Sequence, residues 1–461
     1  MVLLFIAALC TIIYVFIVLV SLIGFLEIAF KFNSKHRASL ESNIKDSDLV
    51  GVTILRPLKG IDPEMETCLE SSFLQNYPKD RLEIIFCVQD PHDPAIDVVQ
   101  RLIARFPRVD AKLMLDQEGA MDNYGPNPKI NNLAKGYKAA KFDTLWVIDS
   151  NVWARPDTLR RSVYTMVHNL HDGSKVCGTR TVGLVNHVPL ALAMKGSSAG
   201  SRLDEMFLST SHAKFYVALN TVAIAPCVNG KSNIYRRSDL DASVELASGI
   251  DNEADSRTFS GKPFNESPDH SPSITYFARY IGEDNMIATA LWDHVGARSG
   301  MSLDAVIQPL GGTSPLQNNT IADYVSRRVR WLRARKYMVL AATLVEPTTE
   351  CLVCGIIGTF GLSVLLWGSR FNLLFFTCHV LTWFLIDYTQ YHILSECIRS
   401  GLYSVPDFLD SKGKSLSEFI PIWITREVLA FPIWAIAMAG SEIDWRGQPF
   451  RINADLTAER L

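Results

Sequence analysis

The residues best suited to chemistry in this 461-residue chain begin with Arg327-Arg328-Val329-Arg330-Trp331. Residues i, i+3 and i+4 are neighbours on a helix, so Arg327, Arg330 and Trp331 share one surface. Two guanidinium forks can clamp a diphosphate through paired N–H···O bonds. The indole can wall a sugar or lipid pocket. With Arg333, Arg335 and Lys336 behind it, the same run also reads as a basic helix lying on a membrane surface. The acidic residues upstream favour the first reading.

Those residues fall in three places. Asp149-Ser150-Asn151 follows the apolar run from Thr144 to Ile148. A carboxylate with a nearby oxygen ligand suits a hard divalent cation that also holds phosphate oxygens. Asp90 and Asp93 follow a second apolar run, Leu82 to Val88. Glu283-Asp284 opens a helix from Asn285 to Trp292, where a carboxylate can draw a proton from a hydroxyl or simply cap the helix. Asn127-Pro128-Lys129-Ile130-Asn131-Asn132 starts another helix. Its free N–H groups favour an anion and Lys129 adds a point charge, although the same residues also suit an ordinary asparagine-capped turn. Ser211-His212 and Cys227-Val228-Asn229-Gly230 are weaker, since each also suits a plain turn.

The elements that must position these groups alternate. Strands are expected over Val52–Leu55, Leu82–Val88, Ala111–Leu115 and Thr144–Ile148, with helices over Pro63–Gln75, Ala95–Arg105 and Asn131–Ala140 between them. That order predicts an α/β domain with a largely parallel sheet. Such sheets bind ligands beyond the carboxyl ends of their strands, where Asp90, Asp93 and Asp149 lie. The Ser-, Asp- and Pro-rich stretch 241–273 reads as a flexible insertion, and its Asn265-Glu266-Ser267 sequon as chance.

Apolar blocks flank this domain. Leu3 to Phe30, about 28 residues, is long enough to span a bilayer. Lys31, Lys35, His36 and Arg37 follow it, which puts the N-terminus outside and residue 31 onward in the cytosol. Leu352–Trp367 and Phe371–Tyr388 read as a transmembrane hairpin turning at Gly368-Ser369-Arg370. Phe419–Gly440 carries Arg426 and Glu427 well inside it and is broken by Pro421 and Pro432, so it reads as interfacial or re-entrant. The expected organisation is therefore a 1–30 transmembrane helix, a 49–320 catalytic domain, a 321–346 interfacial helix, a 352–388 hairpin, a 419–440 segment and a cytosolic 441–461 tail. A net charge of -3 with no basic domain argues against nucleic acid as a partner. Nine cysteines without framework spacing fit a reducing compartment, and Cys351-x-x-Cys354 lacks a second pair of ligands.

Taken in order, Leu55-Arg56-Pro57-Leu58-Lys59-Gly60, Val88-Gln89-Asp90 with Asp93-Pro94, Asn127 to Asn132, Asp149-Ser150, Glu283-Asp284, Arg327-x-x-Arg330-Trp331 and Trp445-Arg446-Gly447 resemble the ceramide glucosyltransferase family, glycosyltransferase family 21. The resemblance covers nearly the whole chain, and the insertion is similar to that of fungal members. It implies a GT-A (Rossmann-like) catalytic domain and inverting transfer of glucose from UDP-glucose to the primary hydroxyl of ceramide. It further implies that Asp90, Asp93 and Lys129 hold the donor, that Asp149 binds its diphosphate through Mn²⁺ or Mg²⁺, and that Asp284 is the general base. Arg327 and Arg330 would then neutralise the departing UDP, Trp331 would line the acceptor side, and His212 would contact acceptor or donor. The implied setting is a multi-pass protein of the Golgi or ER membrane, among membrane lipids, with its catalytic domain facing the cytosol. Ceramide would enter between the Arg327–Lys336 helix and Phe419–Gly440. Two other readings use the same residues: a processive polysaccharide synthase, which needs a channel of several spans, and a membrane-anchored binding protein with a degenerate transferase domain.

Overall fold

Along the chain the elements of the computed structural model are α1 (Val2–Lys31), α2 (Ser34–Glu41), β1 (Val52–Leu58), α3 (Met65–Phe73), β2 (Leu82–Val88), α4 (Ala95–Arg105), β3 (Asp110–Leu115), α5 (Pro128–Ala139), β4 (Thr144–Ile148), α6 (Thr158–Val167), β5 (Val182–Ala193), α7 (Ala199–Phe207), α8 (Ala213–Val222), β6 (Ser232–Arg236), α9 (Arg237–Ala254), α10 (Glu283–Ala290) and β7 (Arg298–Leu310). They continue with α11 (Ile321–Met338), α12 (Leu340–Val345), α13 (Cys351–Leu366), α14 (Leu373–Arg399), α15 (Leu416–Ala439), β8 (Glu442–Trp445), β9 (Gln448–Ile452) and β10 (Ala458–Arg460). The structure describes residues 1–116, 123–168, 180–254, 273–311, 319–402, 405–409, 414–445, 448–453 and 455–461. The chain forms two compact units.

The sheet unit comprises Arg37–Pro189, Asn220–Pro309 and Asn453–Leu461. Its strand order is β3-β2-β1-β4-β6-β5-β7. The first four strands are parallel, and β6 runs antiparallel to both β4 and β5. This is the expected α/β architecture with a parallel majority. Strands β1, β2 and β4 read as unbroken apolar runs because both faces are covered. Successive side chains serve opposite cores: Ile54, Ile84 and Trp146 pack on one face, and Leu55, Ile85 and Val147 on the other. Helix α4 turns Ala95, Val98, Val99 and Leu102 inward at helical spacing. The stretch expected to be a flexible insertion begins as helix, since α9 runs to Ala254. Residues 255–272, with the sequon, lie outside the described residues.

The sheet unit also buries charge. Arg161 donates from Nε and Nη2 to the two oxygens of Asp304 at 2.7 and 2.8 Å, and Arg37 lies 3.7 Å from the same carboxylate. Asp304 is fully buried. Burial alone would raise its pKa, but the guanidinium partners outweigh it and hold the carboxyl at about 2.

The helical unit comprises Met1–His36, Leu190–Leu219 and Leu310–Ile452. Helix α1 lies against α13, where a Cβ on Gly358 would come within 2.1 Å of the Tyr14 ring. Among the described residues two helices, α1 and α15, are long and apolar enough to cross a membrane, and α13 meets the preceding helical segment at an 86° bend. Helix α15 is one continuous helix despite Pro421 and Pro432, where the sequence suggested an interrupted interfacial piece. The charges that argued against its crossing are paired internally. Arg426 bonds Glu350 at 2.6 Å, Asp387 at 3.4 Å and its neighbour Glu427. Asp387 in turn accepts from Lys214 and from the Trp423 indole, each at 2.8 Å.

The basic residues of α11 are internal partners too. Arg333 donates to the Glu442 carbonyl at 2.7 Å, and Lys336 to the Gly440 carbonyl at 2.7 Å. Arg333 also donates to the Ile436 carbonyl at 3.2 Å, so through Ile436 and Gly440 the two residues cap the C-terminus of α15, whose last carbonyls have no helical partner. Tyr324, Val329 and Leu332 of α11 share one apolar cluster with Ile433 and Ala437 of α15. These are the two helices between which ceramide was expected to enter. In the expected tail, β8 and β9 form an antiparallel pair, while Arg446 and Gly447 of the Trp445-Arg446-Gly447 motif lie outside the described residues.

Asp304→Asn should cost about 3 kcal/mol, because it takes from the buried Arg161 guanidinium its buried bidentate partner and leaves only the less buried Glu41 and Asp157. Denaturant unfolding of the purified chain followed by tryptophan fluorescence checks this, and an unchanged midpoint contradicts it. The folded pKa lies below the ordinary 3.8, so the contribution is present above that value and fades as pH falls toward 2.

Candidate active site

Helix α5 begins at a cap. The Asn127 side-chain oxygen accepts from the Lys129 and Ile130 N–H groups at 2.9 and 3.2 Å, with Pro128 in the first turn. Its amide group donates to Glu283 at 2.9 Å and to the Tyr280 carbonyl at 2.8 Å. One asparagine thus ties the start of α5 to the start of α10. Asn132 donates to the Leu58 and Cys87 carbonyls at 3.0 and 2.9 Å, fixing the helix to the ends of β1 and β2.

Lys129 then projects into a nest of oxygens. Its ammonium lies 2.9 Å from Asp149, 3.2 Å from Glu283 and 2.8 Å from the Gly230 carbonyl. Burial opposes its charge, but Asp149 and Glu283 outweigh that and raise its pKa. Asp149 takes a second ammonium, Lys231, at 3.2 Å. Burial would push the Asp149 carboxyl up, yet the two lysines hold it below the usual range. Arg56, fully buried in β1, donates to the Asp149 and Val152 carbonyls at 2.6 and 2.8 Å. It anchors the backbone on which Asp149 stands. Next along, Ser150 donates to Asp62 at 2.7 Å.

Asp284 completes the group. A Cβ added to Gly230 would lie 3.4 Å from an Asp284 oxygen and 3.6 Å from the Lys129 ammonium. The glycine leaves this space open beside the acid. Burial, then the adjacent Glu283 charge, push the Asp284 carboxyl up to about 7, with Lys129 pulling the other way. A carboxylate poised near neutrality is what a general base needs.

The other expected donor residues serve backbone. Asp93 accepts from the Gly60 N–H and the Ala95 N–H, both at 2.8 Å, where Gly60 has a φ of +67°. Asp90 accepts from the His92 N–H at 2.8 Å. These acids shape the loops beyond β1 and β2. The sequence alone did not pick out Lys231 or Asp62, and it named Arg56 within the Leu55–Gly60 motif without giving it a role. An arginine inside an apolar strand was the one available signal for Arg56.

The helical unit holds the remaining expected residues. Arg327 pairs at 2.6 Å with Asp204, a buried acid of α7. Arg328 stacks 3.4 Å above the Phe207 ring, and Trp331 lies 6.4 Å from the same ring. Arg330 is half-buried on the same helix. His212 ends a π-turn at Leu208–His212 and stacks on Tyr216 at 5.2 Å. Burial, then Arg328 and Arg335, lower its pKa to about 3, so the ring is neutral. Its buried Nδ1 has no hydrogen-bond partner among the described residues.

A parallel-majority sheet with acids and lysines gathered beyond its strands, in a chain that carries apolar helices, is the expected architecture of a membrane glycosyltransferase. The sequence pattern of glycosyl transferase family 21 matches residues 4–249 and 273–458, and the chain belongs to that family. It is 44% identical to the ceramide glucosyltransferase of Candida albicans, over 97% of this chain and 96% of that one. It is 46% identical to the ceramide glucosyltransferase of Komagataella phaffii, over 97% and 90%. Among solved structures, the mannosyltransferase PcManGT from Pyrobaculum calidifontis, in complex with GDP-Man and Mn²⁺, aligns with a TM-score of 0.42 and 14% identity, over 95% of this chain and 97% of that one.

Lys129→Met should leave Asp149, Glu283 and Asp284 repelling one another. UDP binding measured by calorimetry should weaken at least tenfold, about 1.4 kcal/mol, and an unchanged affinity contradicts the role given to this ammonium.

Proposed function

We propose that this chain transfers glucose from UDP-glucose to the primary hydroxyl of ceramide, with inversion at the sugar carbon. The observation that carries the chemistry is Asp284, a carboxylate raised to about 7 and set beside Lys129 and the open face of Gly230. In this reading Asp284 takes the hydroxyl proton as the oxygen attacks glucose C1, so no covalent intermediate is required. Lys129 and the start of α5 hold the donor diphosphate, since helix N-termini and ammonium groups both favour phosphate. Arg327 and Arg330 neutralise the departing UDP. Trp331 walls the acceptor, and His212 contacts acceptor or donor. Asp90 and Asp93 support the donor through the loops they shape.

Asp149 would hold Mn²⁺ or Mg²⁺. A divalent ion of this kind can bind through one or two carboxylates when substrate phosphates supply further oxygens. The residues fit: the Asp149 carboxylate and the Asn151 amide oxygen already share one positive group, the Lys231 ammonium, at 3.2 and 3.3 Å. When bound, the ion would add positive charge to the leaving diphosphate.

Ceramide is confined to a bilayer and UDP-glucose to water, so the enzyme needs both a soluble sheet unit and apolar helices. Helices α1 and α15 supply the latter. We place the chain in the Golgi or ER membrane with its sheet unit on the cytosolic side, among membrane lipids.

Purified chain given radiolabelled UDP-glucose and ceramide should yield an organic-soluble glycolipid. Polymeric product would mark a polysaccharide synthase, and absence of turnover a binding protein. Asp284→Asn should lower turnover by about 10²–10⁴-fold while UDP binding stays within about threefold. Because the base acts only when ionised, the rate at limiting UDP-glucose should rise with pH through about 7. A rate flat from about pH 5.5 to 8.5 contradicts the assignment.

A further inference from the structure

Asp149 and Asn151 stand on the turn that follows β4, with side-chain oxygens directed at one point. That point is held by the Lys231 ammonium, 3.2 Å from Asp149 Oδ2 and 3.3 Å from Asn151 Oδ1. The lysine's backbone is fixed. Its N–H donates to Asn229 Oδ1 at 3.1 Å, and its carbonyl accepts from the Asp149 N–H at 3.1 Å. Lys129 meets the other Asp149 oxygen at 2.9 Å and is tied as well to Glu283 and the Gly230 carbonyl.

We infer that Lys231 is the resident counter-ion of the Asp149–Asn151 pair, which keeps a divalent cation out until a nucleotide sugar arrives and draws the ammonium onto its diphosphate. The inference rests on the donor-site reading above. Its physics is competition for two oxygens. A dication held there at about 2.1 Å would sit against an ammonium in hydrogen-bond range of the same atoms, and like charges at that spacing repel strongly. A diphosphate changes the balance, because it offers the lysine new anionic oxygens and offers the cation further ligands. A flexible point-charge donor such as lysine can make that exchange, whereas the rigid fork of arginine is held to a fixed geometry. The consequence is that metal and nucleotide bind together.

The test uses the full-length chain purified in detergent, with Mn²⁺ uptake read from loss of the free-ion electron paramagnetic resonance signal. Without nucleotide, the unaltered protein should take up Mn²⁺ at least tenfold more weakly than Lys231→Met. Lys231→Gln should behave as Lys231→Met, and the uptake gained should vanish when Asp149→Asn is added. UDP binding by Lys231→Met in chelator should weaken at least tenfold. Equal nucleotide-free uptake by the unaltered protein and both variants overturns the inference, as does uptake that survives Asp149→Asn. Glycolipid formation is measured separately. Its failure, with the Mn²⁺ differences intact, would count against the acceptor assignment and not against Lys231.

Discussion

The ammonium group of Lys129, with Lys231 beside it on Asp149, lets three acids stand together. Asp149, Glu283 and Asp284 come from the end of β4 and the start of α10, and without a central cation they would drive those elements apart. The lysine is delivered by a capped helix start, and the same Asn127 that caps it also holds Glu283. Helix geometry, sheet topology and electrostatics therefore meet at one side chain. Burial and Glu283 raise Asp284 toward neutrality, and Lys129 pulls it back toward the charged form.

Much of the sheet unit was readable because its signals are local. Leu82–Val88, Ala95–Arg105 and Thr144–Ile148 form where apolar runs and helical periodicity put them. The pieces that were harder to read depend on distant partners. Arg426 and Glu427 look costly in an apolar stretch until Glu350, Asp387 and Lys214 are seen around them. The basic run after Trp331 looks like a membrane-facing surface until its lysine and arginine are found capping α15. Charge in a sequence carries no mark of whether its partner is water, lipid or another side chain.

The site was legible to a similar extent. Lys129, Asp149 and Asp284 stood out as charged groups at element ends, and they gather within one unit. Asp90 and Asp93 stood at an element end too, but their oxygens face backbone N–H groups. No spacing rule links Lys231 to Asp149, since only the antiparallel pairing of β4 with β6 brings them together. Strand pairing of that kind follows from packing, not from any local pattern.

The paired charges of the helical unit bear on how the chain enters a bilayer. Helix α15 presents Arg426 and Glu427, α14 presents Asp387, and Glu350 precedes α13. Released singly into lipid, each would carry an unmatched ion into a medium that solvates it poorly. In an apolar medium these helices therefore depend on one another, because each ion is matched only once α15 has joined the others.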